Sequence, residues 1–131
     1  MWIDKLSLYN FRNYKSQEIK FNEDINIFIG DNAQGKTNLL ESIYYLANAS
    51  SFKKISDSDL IRFNQENMKL SALVRKGRSL KKVLIQTNLK DKSIFVNEVK
   101  YDKRYLYRSL FKVVLFTPED LQIIKEGPAL R

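Results

Sequence analysis

Two apolar periods share this chain, and each marks a different element. Trp2, Leu6 and Leu8 alternate with Asp4, Lys5 and Ser7, with Ile3 and Tyr9 blurring the pattern, which predicts a strand. Ile19 and Phe21, flanked by Glu18, Lys20 and Asn22, predict a second, half-buried strand after the turn "NYKS". Ile25 to Ile29 is nearly all apolar, as a strand covered on both faces would be. Leu39, Leu40, Ile43, Tyr44, Leu46 and Ala47 then fall on a 3.6-residue period, predicting a helix of about three turns.

The second half returns to a period of two. After the polar loop "NASSFKKISDSD", Met68, Leu70, Ala72 and Val74 alternate with Lys69, Ser71, Leu73 and Arg75, of which only Leu73 is apolar. The turn "KGRS" leads to a partner strand carrying Val83, Ile85 and Thr87, and "KDKS" and "VNEV" mark further turns around Ile94 to Val96. The expectation is an antiparallel meander with one wet, lysine-rich face. Asp102 is placed to cap a short helix through Leu110, and "KVVLF" (Lys112 to Phe116) reads as a buried strand. Thr117, Pro118 and Asp120 supply an N-cap, a first-turn proline and a capping-box acid for a helix ending at Gly127-Pro128.

A chain of 131 residues has room for one domain with a real core. It has no cysteine, which excludes disulfides and thiolate metal sites, and no histidine, which excludes imidazole acid–base chemistry. No apolar run approaches a membrane span and the N-terminus is strand-like, so a cytoplasmic protein with no membrane role is expected. The net charge is +8, but it is unevenly spread. Residues 1–49 hold 5 basic and 6 acidic side chains, residues 50–112 hold 16 and 6, and residues 113–131 hold 2 and 3. The excess of +10 in the middle attracts polyanions.

The change from strand to helix between Ile29 and Leu39 contains the candidate chemistry. Gly30, Gly35, Lys36 and Thr37 satisfy G-x-x-x-x-G-K-[ST], with a strand expected before and a helix after. Gly30 lets the chain leave the strand sharply, and Gly35 lets backbone amides close around an anion. The amides of Asp31, Asn32, Ala33 and Gln34 and the helix N-terminus then point at a β-phosphate. Lys36 is expected to bridge the β- and γ-phosphates of ATP, and the Thr37 hydroxyl to ligate Mg²⁺. Ala33 stands where many such loops have glycine; a positive φ there would cost about 1 kcal/mol.

The flanks narrow the match. "LSLYNFRNYKSQEIKFNEDINIFIGDNAQGKTNLLESIYYLA", "SSFKKISDSDLIRF" and "VVLFTPEDLQIIKEGPALR" together resemble the N-terminal portion of the RecF family, bacterial recombination-repair ATPases with an ABC-type head like that of SMC proteins. The resemblance covers essentially the whole chain, with Ala33 and Ser42 as mild departures. It implies an α/β P-loop NTPase head lobe, a mixed core sheet carrying an antiparallel β-meander. On this reading residues 1–131 are the N-terminal part of one head domain: 1–49 strands, loop and helix; 50–111 basic meander and short helix; 112–131 core strand and capped helix. The resemblance also implies ATP-dependent head-to-head dimerisation of the full-length protein. It further implies binding to gapped single-strand/double-strand DNA, where the protein helps RecR and RecO load RecA. Arg12 and Asn13 of "NFRNY" match positions that approach the nucleotide phosphates in such heads. Asn38 is placed either beside the Mg²⁺ or phosphates or as a plain first-turn polar residue. Glu119 and Asp120 fall near a Q-loop position, though capping of Thr117 already explains Asp120.

The basic middle offers candidate DNA-phosphate contacts in Lys53, Lys54, Arg75, Lys76, Arg78, Lys81 and Lys82. Lys103, Arg104 and Arg108 form a second group, interleaved with Tyr101, Tyr105 and Tyr107. The plainer alternative for each is a solvated strand or helix position. No apolar strand ending in paired acids follows Thr37, and no signature-like "LSxGQ" string is present. The chain therefore reads as a fragment that stops before the signature loop and Walker B strand, without a catalytic carboxylate. Another SMC-like head such as an OLD-family nuclease, a small P-loop kinase and a non-catalytic binding module are the alternatives. The kinase plan gives no place to "NFRNY".

Overall fold

The structure is a computed structural model that describes residues 1–30, 35–102 and 111–120. Its frame is one six-stranded sheet. The strands are β1 (Trp2–Phe11), β2 (Tyr14–Lys20), β3 (Asn67–Lys76), β4 (Ser79–Asn88), β5 (Lys92–Val96) and β6 (Val99–Tyr101). They lie in the order β2-β1-β3-β4-β5-β6, and every neighbouring pair is antiparallel. Short connections suffice for most of these pairings, because antiparallel neighbours need only a turn. The β3–β4 turn has Gly77 at φ 58°, the glycine-first geometry that matches strand twist. The β5–β6 turn holds Asn97 at φ 49° and Glu98 at φ 69°, so both central residues are left-handed.

The long step from β2 to β3 carries α1 (Gly35–Asn48) and α2 (Asp57–Leu60). α1 lies on the sheet face formed by Leu6 and Leu8 of β1, Met68, Leu70 and Ala72 of β3, and Val83 and Ile85 of β4. Tyr45 and Leu46 of α1 are fully buried there, and the Tyr45 hydroxyl lies 3.2 Å from the Thr87 hydroxyl of β4. That contact satisfies two polar groups that burial would otherwise strand. Lys92 of β5 reaches the Ala49 carbonyl at 2.5 Å and Asp57 at 2.6 Å, tying the end of α1 and the start of α2 to the sheet.

The meander follows the alternation read from the sequence, and Leu73 lies half-exposed on the face away from α1. Two other strand expectations differ. Residues 23–30 form a bend and an irregular stretch that join no ladder, leaving Ile25 77% and Ile29 91% exposed. Residues 112–117 are likewise outside the sheet, with Val114 99% exposed. An all-apolar strand is stable when both its faces and its ladder edges are covered, and among the described residues nothing pairs with either segment. Asp102 is described, but the helix expected after it falls on residues 103–110, outside the described residues. The end of the last helix, beyond residue 120, lies outside them as well.

Candidate nucleotide site

Gly35 starts α1, so the lysine and threonine of the loop occupy its first turn, where amide donors have no partner within the helix. The Lys36 ammonium folds back and donates to the Gly30 carbonyl, spanning the mouth of the loop. A phosphate oxygen is a stronger acceptor for that ammonium than a neutral carbonyl. Thr37 is exposed on the same turn. Asp31, Asn32, Ala33 and Gln34 lie outside the described residues.

The "NFRNY" segment is the β1–β2 turn, and it docks on α1. Arg12 donates from Nε to Glu41 Oε1 at 2.7 Å and from Nη2 to Glu41 Oε2 at 3.1 Å. Asn13 Oδ1 accepts from Asn38 Nδ2 at 3.1 Å, and the Tyr14 hydroxyl donates to the Gly35 carbonyl at 2.7 Å. Gly35, Asn38 and Glu41 are spaced by three, so they form one stripe along the helix. Three consecutive turn residues thus meet three consecutive stripe positions in reverse order. A Cβ on Gly35 would stand 3.2 Å from the Tyr14 hydroxyl, tighter than ordinary contact, so that hydroxyl would have to shift by a few tenths of an ångström. Burial pushes the Tyr14 phenol above its ordinary 10.0.

Glu41 was not singled out by sequence reading, yet it is the most buried charge of the site, with no exposed surface. Besides Arg12, its Oε2 accepts from the Ser51 hydroxyl at 3.0 Å and lies 3.8 Å from the Lys53 ammonium. A buried carboxylate persists where its oxygens are paired in this way. The available signal was its place in the stripe of Gly35 and Asn38. Arg12 keeps 23% of its side chain exposed and lines a cleft of ≈ 570 Å³ with Asn13, Asn38, Arg62 and Phe63. The far wall is held in place by backbone bonds from Arg12 N to Leu60 O and from Arg62 N to Asn10 O, both 2.8 Å.

Among the described residues no group of three or more His, Cys, Asp or Glu could hold a metal. Asp120 accepts from the Thr117 amide at 2.7 Å and its hydroxyl at 2.9 Å, which holds its carboxyl below the ordinary range and is the capping arrangement. Glu119 lies beside it on the same turn.

The candidate DNA contacts do not form one patch. Lys53 faces Glu41, and the neighbouring Lys54 is exposed. Arg75 pairs with Asp4 at 3.8 Å and lies over Trp2. Lys76 and Lys81 line a cavity of ≈ 190 Å³ with Phe111, Arg78 is at the β3–β4 turn, and Lys82 is on the opposite sheet face. Lys103, Arg104 and Arg108 lie outside the described residues. No helix among the described residues is long and apolar enough to cross a membrane.

A profile of the AAA ATPase domain matches residues 1–125. This chain belongs to the AAA ATPase domain family. Within that family it is similar to the DNA replication and repair protein RecF of Clostridium beijerinckii, 44% identical over the full chain and 36% of the relative's length. It is also 47% identical to RecF of Clostridium botulinum strain Eklund 17B, covering 37% of that protein. The solved structure of the recombination mediator RecF-ATP in the RecFOR pathway superposes with a TM-score of 0.87 at 38% identity, over 98% of this chain and 36% of the other. The RecF resemblance read from the motifs therefore holds across the whole chain, and so does its P-loop head fold. This AAA ATPase chain spans about a third of the length of the curated relatives it matches.

Proposed function

We propose that this chain is the ATP-binding portion of a recombination-repair ATPase that engages DNA and acts with RecO and RecR in loading RecA at gapped DNA. The observation that carries the reading is the docking of Arg12, Asn13 and Tyr14 on the first turns of α1, beside the glycine loop. In this reading the loop amides and the helix N-terminus take the β-phosphate, Lys36 leaves the Gly30 carbonyl for the β- and γ-phosphates, and Thr37 ligates Mg²⁺. Arg12 has five N–H donors and spends two on Glu41, leaving the others to face an anion in the cleft. Glu41 is then a positioning residue: it fixes where the guanidinium points. The similarity to a RecF-ATP structure over nearly the whole chain supports ATP as the nucleotide.

The chain supplies the binding half of the chemistry. No apolar strand ending in paired acids follows Thr37, so hydrolysis by this chain alone is expected to be weak or absent. Equilibrium titration of a fluorescent ATP analogue with Mg²⁺ tests the proposal. Lys36→Ala is expected to weaken binding at least about tenfold, since it removes a charge-assisted contact to two phosphates. Equal affinity in the variant would overturn the assignment.

A further inference from the structure

The wall of the cleft that faces Arg12 belongs to neither the sheet nor α1. Ser58, Asp59, Ile61, Arg62 and Phe63 of that wall come from the segment between α1 and β3, which holds α2. A helix of four residues cannot hold itself in water, and its N-cap, Ser56, makes no side-chain capping bond. The wall therefore stands where its anchors put it. The C-terminal end of α2 is anchored to β1. Leu60 is fully buried, the Arg12 amide donates to its carbonyl at 2.8 Å, and Ile61 bridges to Phe11. The N-terminal end is anchored by Lys92.

Lys92 opens β5 opposite Thr87 of β4 and shares a sheet face with Ile94 and Val96. Its side chain is only 7% exposed. The ammonium lies 2.6 Å from the carboxylate of Asp57, the first residue of α2, and donates to the Ala49 carbonyl at 2.5 Å. It also sits over the Tyr45 ring, 5.0 Å from the centroid. Ala49 follows the last residue of α1 and takes φ 54°, the left-handed conformation in which many helices end. One cation thus joins the end of α1 to the start of α2. Burying charge is costly, and an apolar pair of similar volume often gives equal or better stability. β5 is an interior strand, so the lysine is not edge protection either. What the ion pair adds is a directional bond between two backbone segments.

The segment it spans is also fastened to the site itself. The Ser51 hydroxyl donates to Glu41 Oε2, on the carboxylate that holds Arg12. We propose that Lys92 is a positioning residue for the nucleotide cleft, setting α2 and its wall against α1 through Asp57 and the Ala49 carbonyl. The inference rests on the reading of an ATP-binding chain and adds to it a residue from a strand outside the phosphate loop. In this role Lys92 touches no nucleotide; it acts through the wall that faces Arg12.

Titration of the full chain with a fluorescent ATP analogue and Mg²⁺, with amide hydrogen exchange alongside, tests it. Lys92→Met is expected to weaken binding about fivefold, within the range for residues that act on a ligand without touching it. The amides of Arg12 and Arg62, bonded to the Leu60 and Asn10 carbonyls, should exchange faster in the variant, while those shared by β3 and β4 keep their protection. A role in stability alone would leave the affinity of the folded protein unchanged. Coupling gives a second separation. Combined with Arg12→Lys the losses should be less than additive, because both act through one wall; combined with Lys36→Ala they should add, because that lysine acts on the phosphates directly. Asp57→Asn should reproduce the loss, and it replaces Lys92→Met if that variant does not fold, since it leaves the ammonium on Ala49. Wild-type affinity in both folded variants would overturn the positioning role and leave the ATP-binding reading standing. No binding by the wild type would overturn that reading, and this assignment with it.

Discussion

Arg12 and Glu41 form a two-pronged ion pair, Nε to Oε1 at 2.7 Å and Nη2 to Oε2 at 3.1 Å, across 29 residues of sequence. It joins the β1–β2 turn to the second turn of α1. Arg12→Ala leaves the Glu41 carboxylate with the Ser51 hydroxyl and the Lys53 ammonium as its remaining partners among the described residues. A loss of about 3 kcal/mol is expected in urea unfolding, because breaking one side of a buried pair strands the other charge. Glu41→Gln should fold but weaken ATP-analogue binding severalfold, since the guanidinium loses its bidentate anchor. Unaltered affinity in a folded Glu41→Gln protein would remove the positioning role.

Gly35 is required by a neighbour as much as by a phosphate. Gly35→Ala places a Cβ 3.2 Å from the Tyr14 hydroxyl, tighter than ordinary contact. The substitution should destabilise by about 1 kcal/mol despite alanine's better helix propensity. Shortening the neighbour relieves the clash, so Tyr14→Phe should make Gly35→Ala less costly, a non-additivity read in a double-mutant cycle. Strict additivity would show that the contact is irrelevant.

Tyr14 also sets an alkaline limit. Its phenol is raised by burial above 10.0, so the unfolded chain loses this proton before the folded one does. The contribution is fully present below about pH 10 and is lost as pH rises through the folded value. Ionisation also removes the donor to the Gly35 carbonyl. Stability of the wild type should fall above pH 10 more steeply than that of Tyr14→Phe, measured by urea midpoints across that window.

The β5–β6 turn stores removable strain. Glu98 is exposed and held at φ 69°, where a Cβ is unfavourable and glycine is free. Glu98→Gly should raise stability by about 0.5–1 kcal/mol, whereas Gly77→Ala, at φ 58°, should lower it by a similar amount. Thermal unfolding of the two variants gives opposite shifts if the backbone argument is right.

The one-dimensional pattern carried a great deal. Alternation at Met68, Leu70, Ala72 and Val74 named the inner face of β3, because a strand's side chains take two sides by geometry alone. The spacing of Gly30, Gly35, Lys36 and Thr37 located the loop, since a phosphate cradle needs those residue types in that order. Thr117 and Asp120 announced their cap, a contact made within one turn. Tertiary structure decided what depends on partners distant in sequence. Periodicity could mark Ile25–Ile29 as apolar, but pairing needs a neighbour strand, and among the described residues it has none. Arg12 looked free to seek phosphates, yet its first partner is a glutamate that local pattern placed on an ordinary helix. The basic middle counted as one charge excess in the sequence, and register divided it between two faces of a sheet, because neighbouring residues of a strand point to opposite sides.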